Sequence, residues 1–199
     1  MKNINTLDYY NKNAKAFVND TAEVEFHQMQ DKFLSFLNDK DYILDFGCGS
    51  GRDAKYFLDN GYKVDAIDGS IELCKIAEKH IGKEVKCMLF QDLNEHEKYD
   101  GIWACSSILH LNRLELVEVL KKMSDALKEN GLIYTSFKYG DWQGERNGRF
   151  FNDMNEKAIK KIIAQIDDLS IEEQWITADV RKGRGNEKWL NIILLKKQM

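Results

Sequence analysis

The sequence predicts an α/β fold, a doubly wound and mostly parallel sheet with right-handed crossovers. Three observations predict it. Short extended runs alternate with amphipathic helical stretches through most of the chain. The first run leads into the glycine-rich "GCGSG", and a helical pattern follows directly. The last two extended runs, Glu172 to Ala178 and Trp189 to Leu195, are joined by the polar "DVRKGRGNEK", which suits an antiparallel hairpin.

The elements follow in order. Leu7, Tyr10, Ala14 and Phe17 mark a first helix, and Ala22, Phe26, Met29, Phe33 and Phe36 a second. Tyr42 to Phe46 is a short apolar strand. After the glycines, Asp53 to Asn60 reads as a helix stopped by Gly61. Val64 to Ile67 is the next strand, followed by a helix capped by Ser70 and closed by Gly82. Val85 to Phe90 and Ile102 to Cys105 are further strands. Asn112, with Glu115 three residues on, caps a long helix carrying Leu116, Leu120, Met123 and Leu127, which Gly131 ends. Leu132 to Phe137 is a strand, and Ala158, Ile159, Ile162, Ile163 and Ile166 mark the helix after it.

At 199 residues and 43% hydrophobic, the chain has room for one core and one domain. With 29 Lys+Arg against 33 Asp+Glu its net charge is −4, which offers no general attraction to nucleic acid. Cys48, Cys74, Cys87 and Cys105 form no C-x-x-C pair and read as reduced core thiols. The polar "MKNINTLDYYNKN" and the lack of a long apolar stretch point to neither export nor membrane spanning, hence a cytoplasmic protein.

"ILDFGCGSGRD" carries the chemistry. Without side chains at Gly47, Gly49 and Gly51 a ligand can approach the backbone, and N–H groups at the following helix start favour a carboxylate or phosphate. A dinucleotide fingerprint would place its third glycine where this chain has Arg52. Asp45 adds an anion suited to an ammonium, so a zwitterionic amino-acid moiety fits better than a pyrophosphate. Asp68 in "VDAIDGS" lies about 20 residues beyond the first glycine, at a strand end where a carboxylate accepts from ribose hydroxyls. Asp92 in "FQDL" stands one strand further on, where it can accept from an adenine amino group.

These stretches, with "YDGIWACSSILHL", resemble in order and spacing the first four motifs of the class I S-adenosylmethionine-dependent methyltransferases. "SFKYG", "GRFF" and "EKWLN" are similar to stretches of small bacterial methyltransferases of the tellurite-resistance type. The resemblance implies a seven-stranded Rossmann-like methyltransferase sheet with only the last strand antiparallel. Residues 1–39 then form a helical cover, 40–137 the cofactor core, and 138–199 the substrate-side loops and hairpin. The resemblance places Gly47, Gly49 and Gly51 against the methionine part of S-adenosylmethionine, Asp68 at the ribose, Asp92 and Leu93 at the adenine, and Ala104 at the methionine end, with Gly69 also a cofactor-binding residue. Tyr9 or Tyr10, of which Tyr10 is the choice here, covers the cofactor.

Methyl transfer requires chiefly an acceptor held close, aligned and dry. No metal is demanded. His110, past the fourth strand, is the candidate base; its other reading is a structural or capping residue. Cys105 follows Ala104 rather than a proline and reads as core. Proline is absent, which excludes a [DN]-P-P-[YFW] loop. Of six arginines, five (Arg52, Arg146, Arg149, Arg181 and Arg184) fall in loops near the expected site. They suit an anionic small substrate, with Arg146, Arg149, Arg181 and Tyr139 as its contacts, or they pair with lid carboxylates. Methyl transfer to a small molecule thus leads, against a nicotinamide-dinucleotide oxidoreductase and a non-catalytic cofactor-binding module.

Overall fold

The computed structural model describes residues 4–181 and 183–198; the first three residues of the polar amino terminus, Lys182 of the polar "DVRKGRGNEK" connector, and Met199 lie outside the described residues. Helix α1 (Ile4–Thr21) and helix α2 (His27–Leu34) precede the sheet. Strand β1 (Tyr42–Phe46), helix α3 (Arg52–Asp59), strand β2 (Lys63–Asp68), helix α4 (Ile71–Ile81) and strand β3 (Val85–Cys87) follow. Then come β4 (Tyr99–Ala104), α5 (Arg113–Ala126), β5 (Leu127–Lys138), the pair β6 (Gln143–Arg146) and β7 (Arg149–Asn152), α6 (Glu156–Ile163), β8 (Leu169–Ala178) and β9 (Lys188–Lys196).

The main sheet has seven strands in the order β3-β2-β1-β4-β5-β9-β8. Neighbours from β3 to β5 pair in parallel, and β9 alone is reversed, lying between β5 and β8. The doubly wound, mostly parallel, seven-stranded sheet is thus the observed fold. Strand order reverses beside β1 and β4, so ligands are expected beyond their carboxyl ends.

The local signals act as their chemistry requires. The Ser70 side chain accepts from the Leu73 N–H at 3.3 Å, and Gly82 closes α4 in the left-handed conformation. Asn112 and Glu115 form a reciprocal capping box at the start of α5. Trp103 and Tyr134 stack at 4.0 Å in the core beneath α2, with Phe33 and Phe57 packed around them.

Four expectations are corrected. The second helix is shorter than the apolar spacing from Ala22 suggests, because Phe26 sits outside it as its N-cap residue. Helix α5 ends at Ala126 rather than at Gly131, because Leu127 turns extended and pairs with Tyr99. Strand β3 stops at Cys87, and Phe90–Asp92 form a single 3-10 turn. The substrate-side part that follows β5 is not all loop before the final hairpin: β6 and β7 form a separate antiparallel hairpin around Asn147 and Gly148, which both take positive φ.

Candidate active site

A cavity of about 260 Å³ opens at the carboxyl ends of β1, β2 and β4 and extends toward β8 and β9. Its floor is the glycine loop. The N–H groups of Gly47 and Cys48 both donate to the Ile67 carbonyl at 2.9 Å, and the Ser107 hydroxyl donates to the Phe46 carbonyl at 2.6 Å. The loop is therefore tied to β2 and to the end of β4. A side chain at Gly47 would place its Cβ 2.5 Å from the Ser107 Cβ, so that glycine permits the close approach of the two loops.

Asp68, at the end of β2, is buried at the cavity wall. Its two carboxylate oxygens accept from the Gly49 N–H at 2.9 Å and the Ser70 N–H at 2.8 Å. Burial raises its pKa, opposed by these backbone donors. The backbone N–H groups of Gly49, Ser70 and Gly69 leave acceptor capacity on the carboxylate, and Asp68 forms part of the cavity wall.

Helix α1 covers the cavity. Leu7 packs on Gly69, where a Cβ would come within 2.7 Å of it, and Phe17 packs on Gly49. The Phe150 N–H of β7 donates to the Thr6 hydroxyl at 3.0 Å. Mid-helix, Asn13 departs from helical geometry, and its side chain donates to the Tyr9 carbonyl at 2.8 Å. The hydroxyl of Tyr10 and Nε2 of His110 are 2.8 Å apart, and Nδ1 of His110 lies 2.6 Å from the Phe150 carbonyl. A carbonyl only accepts, so Nδ1 carries the proton and Nε2 accepts from Tyr10. Burial lowers the His110 pKa to about 4, with Arg149 acting in the same direction.

The structure brings Tyr10, Gly47, Gly49, Asp68, Gly69, His110, Arg149 and Arg181 to the cavity wall. It does not bring the others. Asp45 lies behind the loop, its carboxylate accepting from the Ala54 N–H at 3.0 Å; burial and then Asp53 push its pKa well up. It is engaged by the first turn of α3 and is not on the cavity wall. Gly51 is a packing glycine, in left-handed geometry against Ile81 and Ala77 of α4. The turn at Phe90–Asp92 leaves Asp92 exposed and buries Leu93 in the core, while Gln91 lines the cavity. Ala104 is buried in the core one residue short of the wall, which begins at Cys105. Tyr139 donates to Glu156 at 3.0 Å, and Arg146 pairs with Asp153, both off the wall.

Ser106 is a wall residue that escapes the sequence reading. Ser106, in left-handed geometry after β4, receives the Ser136 hydroxyl as acceptor for its N–H at 2.9 Å. Its place after a strand end is the signal that marks it. Cys105 has a thiol that burial and then Asp53 push up to about 12, which suits packing and not nucleophilic attack. Arg52 is on the wall but holds Asp53 with two hydrogen bonds of 2.8 and 2.9 Å. Asp53 also accepts from Trp103 Nε1 at 2.8 Å and from Gln30 at 2.7 Å.

The glycine loop, the strand-end Asp68 and the cover suit two classes of nucleotide-cofactor enzyme. Residues 43–131 match the methyltransferase domain family. Within this matched segment lie the glycine loop, Asp68 and His110. The N-terminal Xaa-Pro-Lys N-methyltransferase 1 of Xenopus tropicalis is 36% identical over 100 residues, covering 46% of this chain and 45% of that protein. The putative methyltransferase YqeM of Bacillus subtilis is 25% identical over 142 residues, covering 64% and 58%. The chain thus spans about half the length of these relatives. Among solved structures, the 1,6-didemethyltoxoflavin-N1-methyltransferase of Burkholderia thailandensis, with S-adenosylhomocysteine bound, has a TM-score of 0.76 at 17% identity, covering 96% of this chain and 85% of that one. The N-methyltransferase NodS of Bradyrhizobium japonicum, also with S-adenosylhomocysteine, has a TM-score of 0.72 at 14% identity, covering 96% and 97%. These neighbours share the methyltransferase fold.

Proposed function

We propose that this chain is an S-adenosylmethionine-dependent methyltransferase that acts on a small-molecule acceptor, chiefly by proximity and orientation. The observation that carries the reading is the paired role of Asp68. Its carboxylate fixes the glycine loop through Gly49, yet it keeps acceptor capacity at the wall of a cavity that runs on beyond the loop. Residues fit the cofactor. Asp68 suits the ribose hydroxyls, the backbone of Gly47 and Gly49 the methionine portion, and Leu89, Phe90 and Gln91 the adenine.

When bound, S-adenosylmethionine supplies a methyl group already activated by its sulfonium. The protein's own work is positioning. Tyr10 and Phe17 of α1 close the cavity from above and exclude water. His110, neutral at pH 7, holds the Tyr10 hydroxyl and so fixes the cover. Cys105, Ser106 and Ser136 line the wall past β4, with Ser136 setting the Ser106 backbone. A cover built from this chain's own helix favours a small acceptor over a protein amino terminus.

The same reading takes residues 1–199 as one methyltransferase domain, of the small tellurite-resistance-like kind, in a cytoplasmic setting that suits its four free thiols. Isothermal titration with S-adenosylhomocysteine tests it. Binding is expected in the wild type, with NAD binding weaker or absent, and Asp68→Ala is expected to cost about tenfold or more in affinity. Tighter binding of NAD than of S-adenosylhomocysteine would overturn the proposal. Binding without turnover on acids, phenols, thiols, amines, oxyanions or peptides would leave a sensing module instead.

A further inference from the structure

The arginines around the cavity differ in what neutralises them. Arg52 is paired with Asp53, Arg146 with Asp153 and Arg181 with Asp179. Arg184 is exposed at the rim. Arg149 has no carboxylate partner among the described residues, although it lines the cavity and its Nε is buried without a hydrogen-bond partner. Aromatic faces surround it instead. Its guanidinium carbon lies 4.4 Å from the ring centre of Tyr9, 5.1 Å from Phe151 and 5.7 Å from Tyr10. One terminal nitrogen makes a long 3.4 Å contact with the Tyr10 hydroxyl.

The chemistry of that arrangement is specific. Aromatic rings offset part of the cost of desolvating a cation without consuming its N–H donors. A carboxylate partner would have consumed them, as Asp179 does for Arg181. An arginine held by rings is thus oriented and charged, with planar donors left over for a ligand. Its position identifies which ligand. Arg149 comes from β7 in the hairpin on the substrate side and sits beside Tyr10 and Phe151, whereas Arg52 follows the glycine loop expected to hold the cofactor's amino-acid end.

We propose that Arg149 is the anion-binding residue of the acceptor site, gripping a carboxylate or phosphate of an organic acceptor while another atom of that acceptor takes the methyl group. The assignment rests on the methyltransferase reading and deepens it.

The test uses benzoate and inorganic phosphate as probes, with benzamide as the neutral match for benzoate, in titrations of protein saturated with S-adenosylhomocysteine. Benzoate or phosphate is expected to bind with a dissociation constant on the order of millimolar, as fragments do. Benzamide should bind about tenfold more weakly or worse, and Arg149→Lys should weaken the anion by about tenfold through loss of the planar fork. S-adenosylhomocysteine affinity should stay unchanged in Arg149→Lys, a variant that retains the cation over the rings. Arg149→Met, if it folds, should abolish anion binding.

Failure of both anions to bind, or anion binding that Arg149→Lys leaves intact, overturns the proposal. Loss of S-adenosylhomocysteine affinity in step with anion affinity assigns Arg149 to the cofactor's own carboxylate and also overturns it. A wild type that does not bind S-adenosylhomocysteine defeats the underlying methyltransferase reading instead, and anion binding to the free protein still reports on Arg149 separately.

Discussion

The Tyr10 hydroxyl donates to Nε2 of His110 at 2.8 Å, joining the cover helix to the segment that follows β4. Two consequences follow for catalysis. The lone pair a base would use is already taken, and burial holds the imidazole pKa near 4, so His110 is a weak base at neutral pH. Tyr10→Phe and His110→Gln are each expected to weaken S-adenosylhomocysteine binding by up to about tenfold, the range for one hydrogen bond. The pH profile of turnover between about 6 and 8 should be unaffected. Turnover slowed about 10²-fold at unchanged cofactor affinity, with a titration in that pH range, would make His110 the base after all.

The same depressed pKa has a stability signature. An unfolded histidine titrates near 6.5, whereas the folded one titrates at about 4, so between these values the unfolded state binds more protons. Acid therefore removes stability as pH falls from 6.5 toward 4, by at most about 3 kcal/mol. The raised carboxylates Asp45 and Asp68 act with the opposite sign, so total stability does not isolate the histidine. The difference between wild type and His110→Gln does. Urea midpoints at pH 4.5 and 7 should show the wild type losing more stability on acidification than the variant, and equal losses would contradict the assignment.

Much of this site was legible because its determinants are local. A strand running into three glycines, a strand-end Asp68, and the caps at Ser70 and Asn112 are each set within a few residues. What was not legible depends on where chain segments end relative to one another. The gap of one residue between Asp92 and Gln91 decides which faces the cavity, and only the early stop of β3 at Cys87 sets it. Composition likewise suggested that the loop arginines act together, but which of them meets a carboxylate is a tertiary fact. The β6–β7 hairpin did carry a signal, the Asn147-Gly148 pair, whose positive φ values suit a tight two-residue turn.

Gly51 separates fold from ligand binding. With φ of +79°, a side chain there is strained, and its Cβ would lie 3.0 Å from Ile81 Cγ2 and 3.2 Å from Ala77 Cβ. Gly51→Ala is expected to destabilise the protein by about 1–3 kcal/mol through strain and overpacking. Once folded, it should bind S-adenosylhomocysteine nearly as well as the wild type, because Gly51 is not on the wall. Thermal melts with and without the ligand measure both quantities. A variant of normal stability that has lost ligand affinity would return Gly51 to the cofactor site.

Asp53 holds a polar cluster below the loop. It accepts from Arg52, Trp103 and Gln30, and so joins α2, α3 and β4. Asp53→Asn preserves shape but removes the charge opposing the largely buried Arg52 and replaces an acceptor by a donor. Breaking one side of such a pair costs about 3–5 kcal/mol when fully buried, and partial exposure of Arg52 places this case at about 3 kcal/mol or less. Chemical denaturation checks the loss, and Asp53→Asn of wild-type stability would show the cluster to be dispensable.

Arg181 provides the contrast that gives the Arg149 assignment its meaning. Both line the cavity, and both belong to segments near the acceptor end. Arg181, however, donates through Nε and a terminal nitrogen to the two oxygens of Asp179, which also accepts from Trp189 Nε1 at 3.1 Å. Burial works against the Asp179 charge, but Arg181 outweighs it and holds the pKa at about 2. The unfolded carboxylate titrates higher, so this pair contributes above that unfolded value and is lost as pH falls toward 2. Arg181→Lys keeps the charge and loses the fork. It should lower stability by about 1 kcal/mol, a figure already discounted for solvent screening of a partly exposed pair, and the deficit should shrink as acid protonates Asp179. Benzoate affinity in the complex with S-adenosylhomocysteine should change little, unlike in Arg149→Lys. If Arg181→Lys instead weakens the anion and leaves stability untouched, the acceptor's anionic group is read by Arg181, and the division between gripping and locking arginines is reversed.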